Sequence, residues 1–299
     1  MSQDINVFTK VLISKKLENI QRSWYKFSRN SLSIIGLIIV SIILFFTIFA
    51  PFVTVHPEAV GRYVNYSETQ KPPSLSYPFG TDTYGRDILT RTIYAFRISL
   101  LMAFIVLSIS TTLGVTLGLI AGYFYGTLID TLIMRITDIF LSIPSLILAL
   151  TLCAILPRSL TTTMIALSLV WWTWYCRMVY GLVTSIRGEF YIQAVELIGA
   201  GKLHILFKEV LPNCLSEIIT KATLDVGSVI LIGSSLSFVG LGAQPPTADL
   251  GSMIADGVKY LPDKWWMAVF PSLALVILVL GFNLLGDGIH DVFIVGEGG

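Results

Sequence analysis

The chain has 299 residues, of which 54% are hydrophobic and only 13% are charged, and its mean hydropathy is +0.77. Soluble domains carry about 25% charged residues, so this composition excludes a water-soluble globular fold. The near balance of 20 basic and 19 acidic residues excludes the basic footprint of a nucleic-acid-binding protein. We interpret the three scattered cysteines, Cys153, Cys176 and Cys214, as small buried side chains, which leaves no disulfide framework and no thiolate metal site.

Six long apolar segments predict an all-α, polytopic membrane protein. The first segment begins near residue 32, too far from the N-terminus and over too long a run for a signal peptide, so we expect it to be a retained span. We assign residues 1–31 to an N-terminal segment and residues 32–299 to one transmembrane domain. The predicted spans are 32–55, 98–123, 132–156, 161–183, 218–239 and 267–285.

The distribution of basic residues predicts the orientation of these spans. Residues 1–30 contain six basic and two acidic side chains directly before the first span, which places the N-terminus in the cytoplasm by the positive-inside rule. An even number of spans returns the C-terminus to the same side. The loops 56–97 and 240–266 are then outside, and the loop 185–217 is inside.

The inner loop contains a pattern that is unusual between two apolar spans. Four apolar residues at helical spacing predict a short amphipathic helix, and the elbow after it holds Gly199 and Gly201. A second amphipathic helix follows, and Pro212 is expected to stop it. Helices lying on the inner leaflet are one interpretation, but the first helix lacks the basic face typical of them, which favours docking into the groove of a partner. The two predicted apolar faces are Tyr191, Ala194, Val195 and Ile198, then Leu203, Leu206, Phe207 and Val210.

A few ionisable residues fall inside or beside the predicted spans. Asp225 lies about two turns into the fifth span, where an acid either lines a hydrated path or makes a buried structural contact. Asp138 follows Arg135 by three residues and can pair with it, and Arg177 is close enough to the inner boundary to snorkel. Asp82 is expected to cap a helix that begins near residue 83.

No constellation of catalytic or metal-ligating residues emerges from the pattern. The three histidines, His56, His204 and His290, do not have metal-ligand spacing. Gly199, Gly201 and Lys202 do not form a phosphate-binding loop, because that motif also needs an earlier glycine and a following Ser or Thr. We therefore expect no catalytic residue, no metal site and no ATP hydrolysis in this chain.

Four segments resemble the dipeptide, oligopeptide and nickel permeases of ABC importers, and specifically the second, C-type permease subunit. "FGTDTYGRDILTR" (79–91), "SLSFVGLGAQPPTADLGSMI" (235–254) and "FNLLGDGIHD" (282–291) are similar to signatures of that group. The inner loop resembles the "EAA" loop of ABC permeases. Gln193, Ala194 and Val195 stand at its E-A-A triplet, Gly199 at its glycine, and Leu211 and Pro212 at its L-P.

This resemblance implies a type I ABC-importer permease in the bacterial inner membrane. It implies pairing with a homologous permease subunit, two ATPase subunits that bind ATP and Mg²⁺, and an extracytoplasmic binding protein, with no cofactor in this chain. The inner loop would be the helix that couples to the ATPase, and the loop 240–264 would face the binding protein. The residues implied are Gln193, Ala194, Val195, Glu196, Gly199, Leu211 and Pro212 for coupling, and Pro245, Pro246, Asp249 and Met253 for the outer gate, with Asp249 capping a short helix.

The cargo is less well defined by the sequence. "WTWYCRMV" (172–179) and "ATLDVG" (222–227), which contains Asp225, resemble the nickel branch, so nickel or a metal chelate is the first expectation. Di- or oligopeptides are the alternative cargo. An ion-coupled secondary transporter or a channel is the alternative class, although such proteins more often carry broken helices and several midspan charges.

Overall fold

The computed structural model describes residues 21–22 and 24–294, and the regular secondary structure in that part of the chain is helical, as predicted. Much of the predicted N-terminal segment, including Lys10, Lys15 and Lys16, lies outside the described residues. Within them, nine helices have eight or more residues. They are α1 (Ser31–Ile48), α2 (Ile88–Tyr123), α3 (Leu128–Leu141), α4 (Ser145–Ile155), α5 (Leu160–Ile186), α6 (Phe190–Leu197), α7 (Leu211–Phe238), α8 (Leu250–Val258) and α9 (Trp266–Ile294).

Three of these helices are individually long and apolar enough to cross a membrane: α1, α2 and most of α9. Helices α3 and α4 qualify together, as a pair bent by 88°. Helices α5 and α7 have 27 and 28 residues, about 40 Å at 1.5 Å per residue, which is long enough to span, but they are more polar. The described chain thus supports three or four of the predicted spans by composition, and the count of six stays a prediction.

The third predicted span, 132–156, is not one straight helix. Helix α3 ends at Leu141, and α4 begins at Ser145, directly after Pro144. Proline lacks an N–H and its ring clashes with the preceding turn, and the residue before it is driven out of the helical region. Because the apolar run continues through this proline, the sequence predicted a continuous span where the chain turns.

A row of glycines brings α2 and α5 into close contact. Gly114, Gly118 and Gly122 recur every four residues on one face of α2. A Cβ added to Gly118 would lie 2.6 Å from the carbonyl oxygen of Cys176, and one added to Gly122 would lie 2.7 Å from Cβ of Val183. Small residues at this spacing let two membrane helices approach until their backbones touch. This contact fixes α5 along the apolar helix α2.

Helix α9 packs against both α1 and α7. A Cβ on Gly36 of α1 would lie 2.6 Å from the backbone nitrogen of Leu285 in α9. Asn30 caps α1 and also donates from Nδ2 to Oδ2 of Asp291 at 2.9 Å, which joins the start of α1 to the end of α9. The same end of the bundle therefore holds the beginning of the first long helix and the end of the last.

Candidate coupling and translocation sites

The first helix of the inner loop and its glycine elbow are present as predicted. Helix α6 covers Phe190–Leu197, and Gly199 follows with φ +85°, a conformation that side chains with a Cβ rarely adopt. Gly201 has an ordinary φ of −67° and precedes the next helical turn. The elbow therefore depends on one glycine, Gly199, for its backbone shape.

The buried face of α6 differs from the predicted one. Ile192 is fully buried and Val195 is half-buried among residues of α2, α5 and α7, whereas Ala194 and Ile198 are exposed. Glu196 accepts a hydrogen bond from Oη of Tyr123, the last residue of α2, at 3.1 Å. The predicted face shares Val195 with the buried one but is rotated away from Ile192, since the positions of the neighbouring helices are not encoded in the loop.

The outward side of the loop is therefore apolar. Four large side chains there are each 71% exposed or more and form what we call the coupling surface: Phe190, Leu197, Ile198 and Leu203. Contiguous exposed apolar residues usually mark an interaction site. Gln193, also exposed, donates from Nε2 to the carbonyl of Gly188 at 3.2 Å and so supports the start of the helix.

Pro212 does not stop the second helix, contrary to the prediction. Residues Lys202–His204 form an α-helical turn, Ile205–Val210 form a π-helical segment, and α7 begins at Leu211. Pro212 thus stands in the first turn of α7, where its missing N–H costs no helical hydrogen bond. π-Helical segments inside longer helices are frequent at functional sites. The loop is joined to α7 without a break in helical structure.

The signature at residues 79–91 forms a buried polar cluster that ties the loops 56–97 and 240–266 together. Asp82 accepts from Nε of Arg86 at 2.7 Å, and its carboxylate lies 3.6 Å from Nε of Arg91. Arg91 donates to the carbonyl oxygens of Ala59 and Pro246 at 3.1 and 3.4 Å. The helix cap is not Asp82, as predicted, but the next acid of the same motif, Asp87, which accepts from the backbone N–H of Thr90 at 2.9 Å.

In the outer loop, Asp249 caps α8 as predicted, accepting from the backbone N–H of Ser252 at 3.0 Å. Burial raises the pKa of Asp249, which is only 3% exposed, so its carboxyl group is inaccessible to another protein in this conformation. We reassign it from a contact residue to one that positions α8. Pro245 is exposed, and Pro246 and Met253 are half-buried, so these three remain accessible.

Asp225 is buried on α7, 9% exposed, and is not a lone acid. Nζ of Lys221, one turn earlier, lies 3.2 Å from both of its carboxylate oxygens. The structural contact that the sequence left open is thus present, and lining of the path by Asp225 stays a prediction.

Sequence reasoning missed an ion pair between α3 and α5. Asp138 pairs with Arg177, thirty-nine positions later, rather than with Arg135 on its own helix. Nη1 of Arg177 also lies 3.8 Å from Sδ of Met134. Opposite charges in neighbouring predicted spans were the available signal, but the pairing depends on how α3 packs against α5, where Thr137 also contacts Cys176.

Comparison with known proteins identifies the class to which this architecture belongs. Residues 114–294 match the family described as the binding-protein-dependent transport system inner membrane component, and residues 19–73 match the N-terminal TM domain of oligopeptide transport permease C. The chain belongs to this family of inner membrane transport components. It is an ABC-importer permease subunit of the C type, in the peptide-type group.

Named relatives support the narrower assignment. The chain is 41% identical over 275 residues to the dipeptide transport system permease protein DppC of Escherichia coli strain K12, covering 91% of each chain. It is 35% identical to the oligopeptide transport system permease protein OppC of Bacillus subtilis strain 168, over 93% of this chain and 90% of the relative. Inward-facing structures of the MetNI methionine ABC transporter share the fold, with a TM-score of 0.55 at 22% identity, covering 67% of this chain and 94% of that one.

Proposed function

We propose that this chain forms half of the translocation path of an ATP-driven importer of dipeptides or short oligopeptides. The observation that carries this proposal is the 41% identity to a dipeptide permease over 91% of both chains. It favours the peptide alternative over the nickel interpretation. The nickel interpretation also relied on a free acid at Asp225, and Lys221 already neutralises that charge.

The coupling surface is proposed to dock into an ATPase subunit on the cytoplasmic side. Its exposed apolar side chains would be covered there, while Ile192 and the hydrogen bond from Tyr123 to Glu196 hold α6 against α2. On the other side of the elbow, the loop continues through the π-helical segment into α7. A displacement of the docked loop would therefore be carried to both α2 and α7.

The other proposed partners follow from membership of the family. A homologous permease subunit would complete a heterodimer, two ATPase subunits would bind ATP and Mg²⁺, and an extracytoplasmic binding protein would deliver the cargo. The accessible outer residues Pro245, Pro246 and Met253 are proposed to face that protein or the partner permease. Both termini are proposed to lie in the cytoplasm of a bacterial cell.

Uptake in cells tests the cargo. We would express the complete importer in cells that lack their own dipeptide permeases and require an amino acid supplied only as a dipeptide. Growth on the dipeptide, and its loss when this chain is deleted, are expected. Radioactive nickel uptake measured in the same cells gives the competing outcome: nickel accumulation without growth on the dipeptide would favour the metal interpretation and overturn ours.

A further inference from the structure

Two ion pairs lie on either side of one tryptophan on the surface of the helical bundle. Trp174 stands one turn before Arg177 on α5, and Arg177 pairs with Asp138 of α3. On α7, Lys221 pairs with Asp225, and its Nζ lies 6.0 Å from the centre of the Trp174 ring. We call these five residues from α3, α5 and α7 the charged surface.

The charged surface lies level with an apolar membrane helix. Cys176, the residue before Arg177, packs against Gly114 and Gly118 of α2. Gly118 is five residues before the end of α2, about 8 Å inside it at 1.5 Å per residue. Arg177 and its partner therefore lie beside a candidate membrane span, toward one end of its 36 residues.

The part of this surface formed by Arg177, Asp138 and Trp174 is not enclosed by the chain that carries it, whereas Asp225 is only 9% exposed. The side chains of Arg177 and Asp138 are 44% and 45% exposed, and Trp174 is 49% exposed. Charged side chains are expensive in hydrocarbon, so at membrane depth they face a protein interior or a water-filled cavity. Lipid is thus the least favourable neighbour for this surface.

The bend between α3 and α4 is an independent observation at the same place. Asp138 lies one turn before Ser142, where α3 gives way to the turn at Pro144. Non-helical backbone at membrane depth is tolerated only where it is buried in protein or lines a water-filled cavity.

We propose that the charged surface is part of the wall of the translocation path and that it engages the two charged ends of a short peptide. The half-exposed carboxylate of Asp138 suits the cargo's ammonium group, and the half-exposed side chain of Arg177 suits its carboxylate. Since each wall charge already has a partner, cargo must compete for it, which keeps binding weak enough for release. The assignment of a short peptide as the cargo rests on the function proposed above. The exposure of the charged surface to a water-filled path does not depend on that assignment.

Cysteine labelling tests the path in the assembled importer. The three native cysteines are fully buried, so wild type gives the background. Trp174→Cys is expected to react with a charged, membrane-impermeant thiol reagent in either the nucleotide-free or the ATP-trapped complex. Ile165→Cys is the control, because it is 47% exposed on the opposite side of α5, nine residues earlier, and is expected to react only with a lipid-soluble reagent. Failure of Trp174→Cys to react with the charged reagent in both states overturns the proposal and indicates lipid or the permease interface instead.

A charge swap separates a path role from a structural one. Arg177→Met is expected to lower dipeptide uptake about tenfold, because the cargo's carboxylate loses its partner. The amount of assembled importer should stay within about twofold of wild type, because the Arg177–Asp138 pair is half exposed and contributes little to stability. The double variant Asp138→Arg/Arg177→Asp re-forms the pair and is expected to assemble like wild type without recovering uptake. Full recovery of uptake would show a merely structural pair. If wild type takes up no dipeptide at all, the proposed cargo is wrong, while the labelling result still decides whether the surface faces water.

Discussion

Gly199 and Gly201 provide a matched pair of substitutions for testing the coupling loop. A Cβ added to either glycine would have no neighbouring atom within 4 Å, so steric clashes do not distinguish them. Their backbone conformations distinguish them, because Gly199 has φ +85° and Gly201 has φ −67°. Valine at Gly199 would therefore be strained where valine at Gly201 is not.

The expected size of the effect follows from that difference. A Cβ in the left-handed region costs about 1–2 kcal/mol, which lowers the population of the native elbow relative to other conformations about 5- to 30-fold. Gly199→Val should insert and assemble but lose most of the ATPase activity that substrate stimulates. Asparagine tolerates this conformation better, so Gly199→Asn should keep more activity than Gly199→Val.

The assay is ATPase activity of the purified complex with and without loaded binding protein, alongside the amount of complex recovered. Gly201→Val is the control and should remain close to wild type. Equal activities of Gly199→Val and Gly201→Val, whether both normal or both low, would refute the reasoning that the elbow's backbone shape is required for coupling.

Three further predictions test other parts of the structure. Gly118→Leu drives a side chain into the backbone of α5 and should destabilise the complex by about 1–3 kcal/mol, measured as a lower melting temperature. Gly181→Leu is the control, because its side chain would have open space and should leave the melting temperature unchanged. Tyr123→Phe removes the donor to Glu196 and should loosen α6 by about 1 kcal/mol, measured as faster hydrogen exchange over residues 190–197. Asp249→Ala removes a helix cap and should cost about 1 kcal/mol. Because burial raises the pKa of Asp249, wild type should lose stability as the pH rises from the ordinary aspartate pKa through the raised one. Asp249→Asn keeps the cap without the ionisable group, so a pH series of its melting curves should not show that loss.

Local sequence patterns correctly predicted the features that depend only on residues close together in the chain. Helix α6, the left-handed Gly199 and the Asp249 cap each follow from residue types within a few positions of one another. The apolar runs likewise predicted the helical membrane fold. These features depend on backbone preference and hydrophobicity, which are readable one segment at a time.

The errors arose where neighbouring helices decide the outcome. Which face of α6 is buried depends on α2, α5 and α7 covering Ile192, and no residue in the loop specifies their positions. Pro212 was interpreted as a stop although proline is equally suited to the first turn of α7. The pairing of Arg177 with Asp138 depends on the packing of α3 against α5, so it could not be predicted from the spacing of charges alone.

The spacing of Gly114, Gly118 and Gly122 is a signal that was present and not used. Small residues repeating every four positions in an apolar helix predict close helix packing. Applied to α2, that rule would have identified its contact face with a partner helix, but not that α5 is the partner.

Transport by the complete importer in proteoliposomes tests the central claim most directly. This chain, its partner permease, the ATPase subunits and the binding protein would be reconstituted together, and accumulation of a radiolabelled dipeptide would be measured. We predict accumulation that requires ATP and Mg²⁺ on the ATPase side, is unaffected by collapsing the ion gradients, and is lost with Gly199→Val but kept with Gly201→Val. Dipeptide accumulation driven by an ion gradient without ATP, or ATP-driven uptake of nickel but not of dipeptide, would contradict the account.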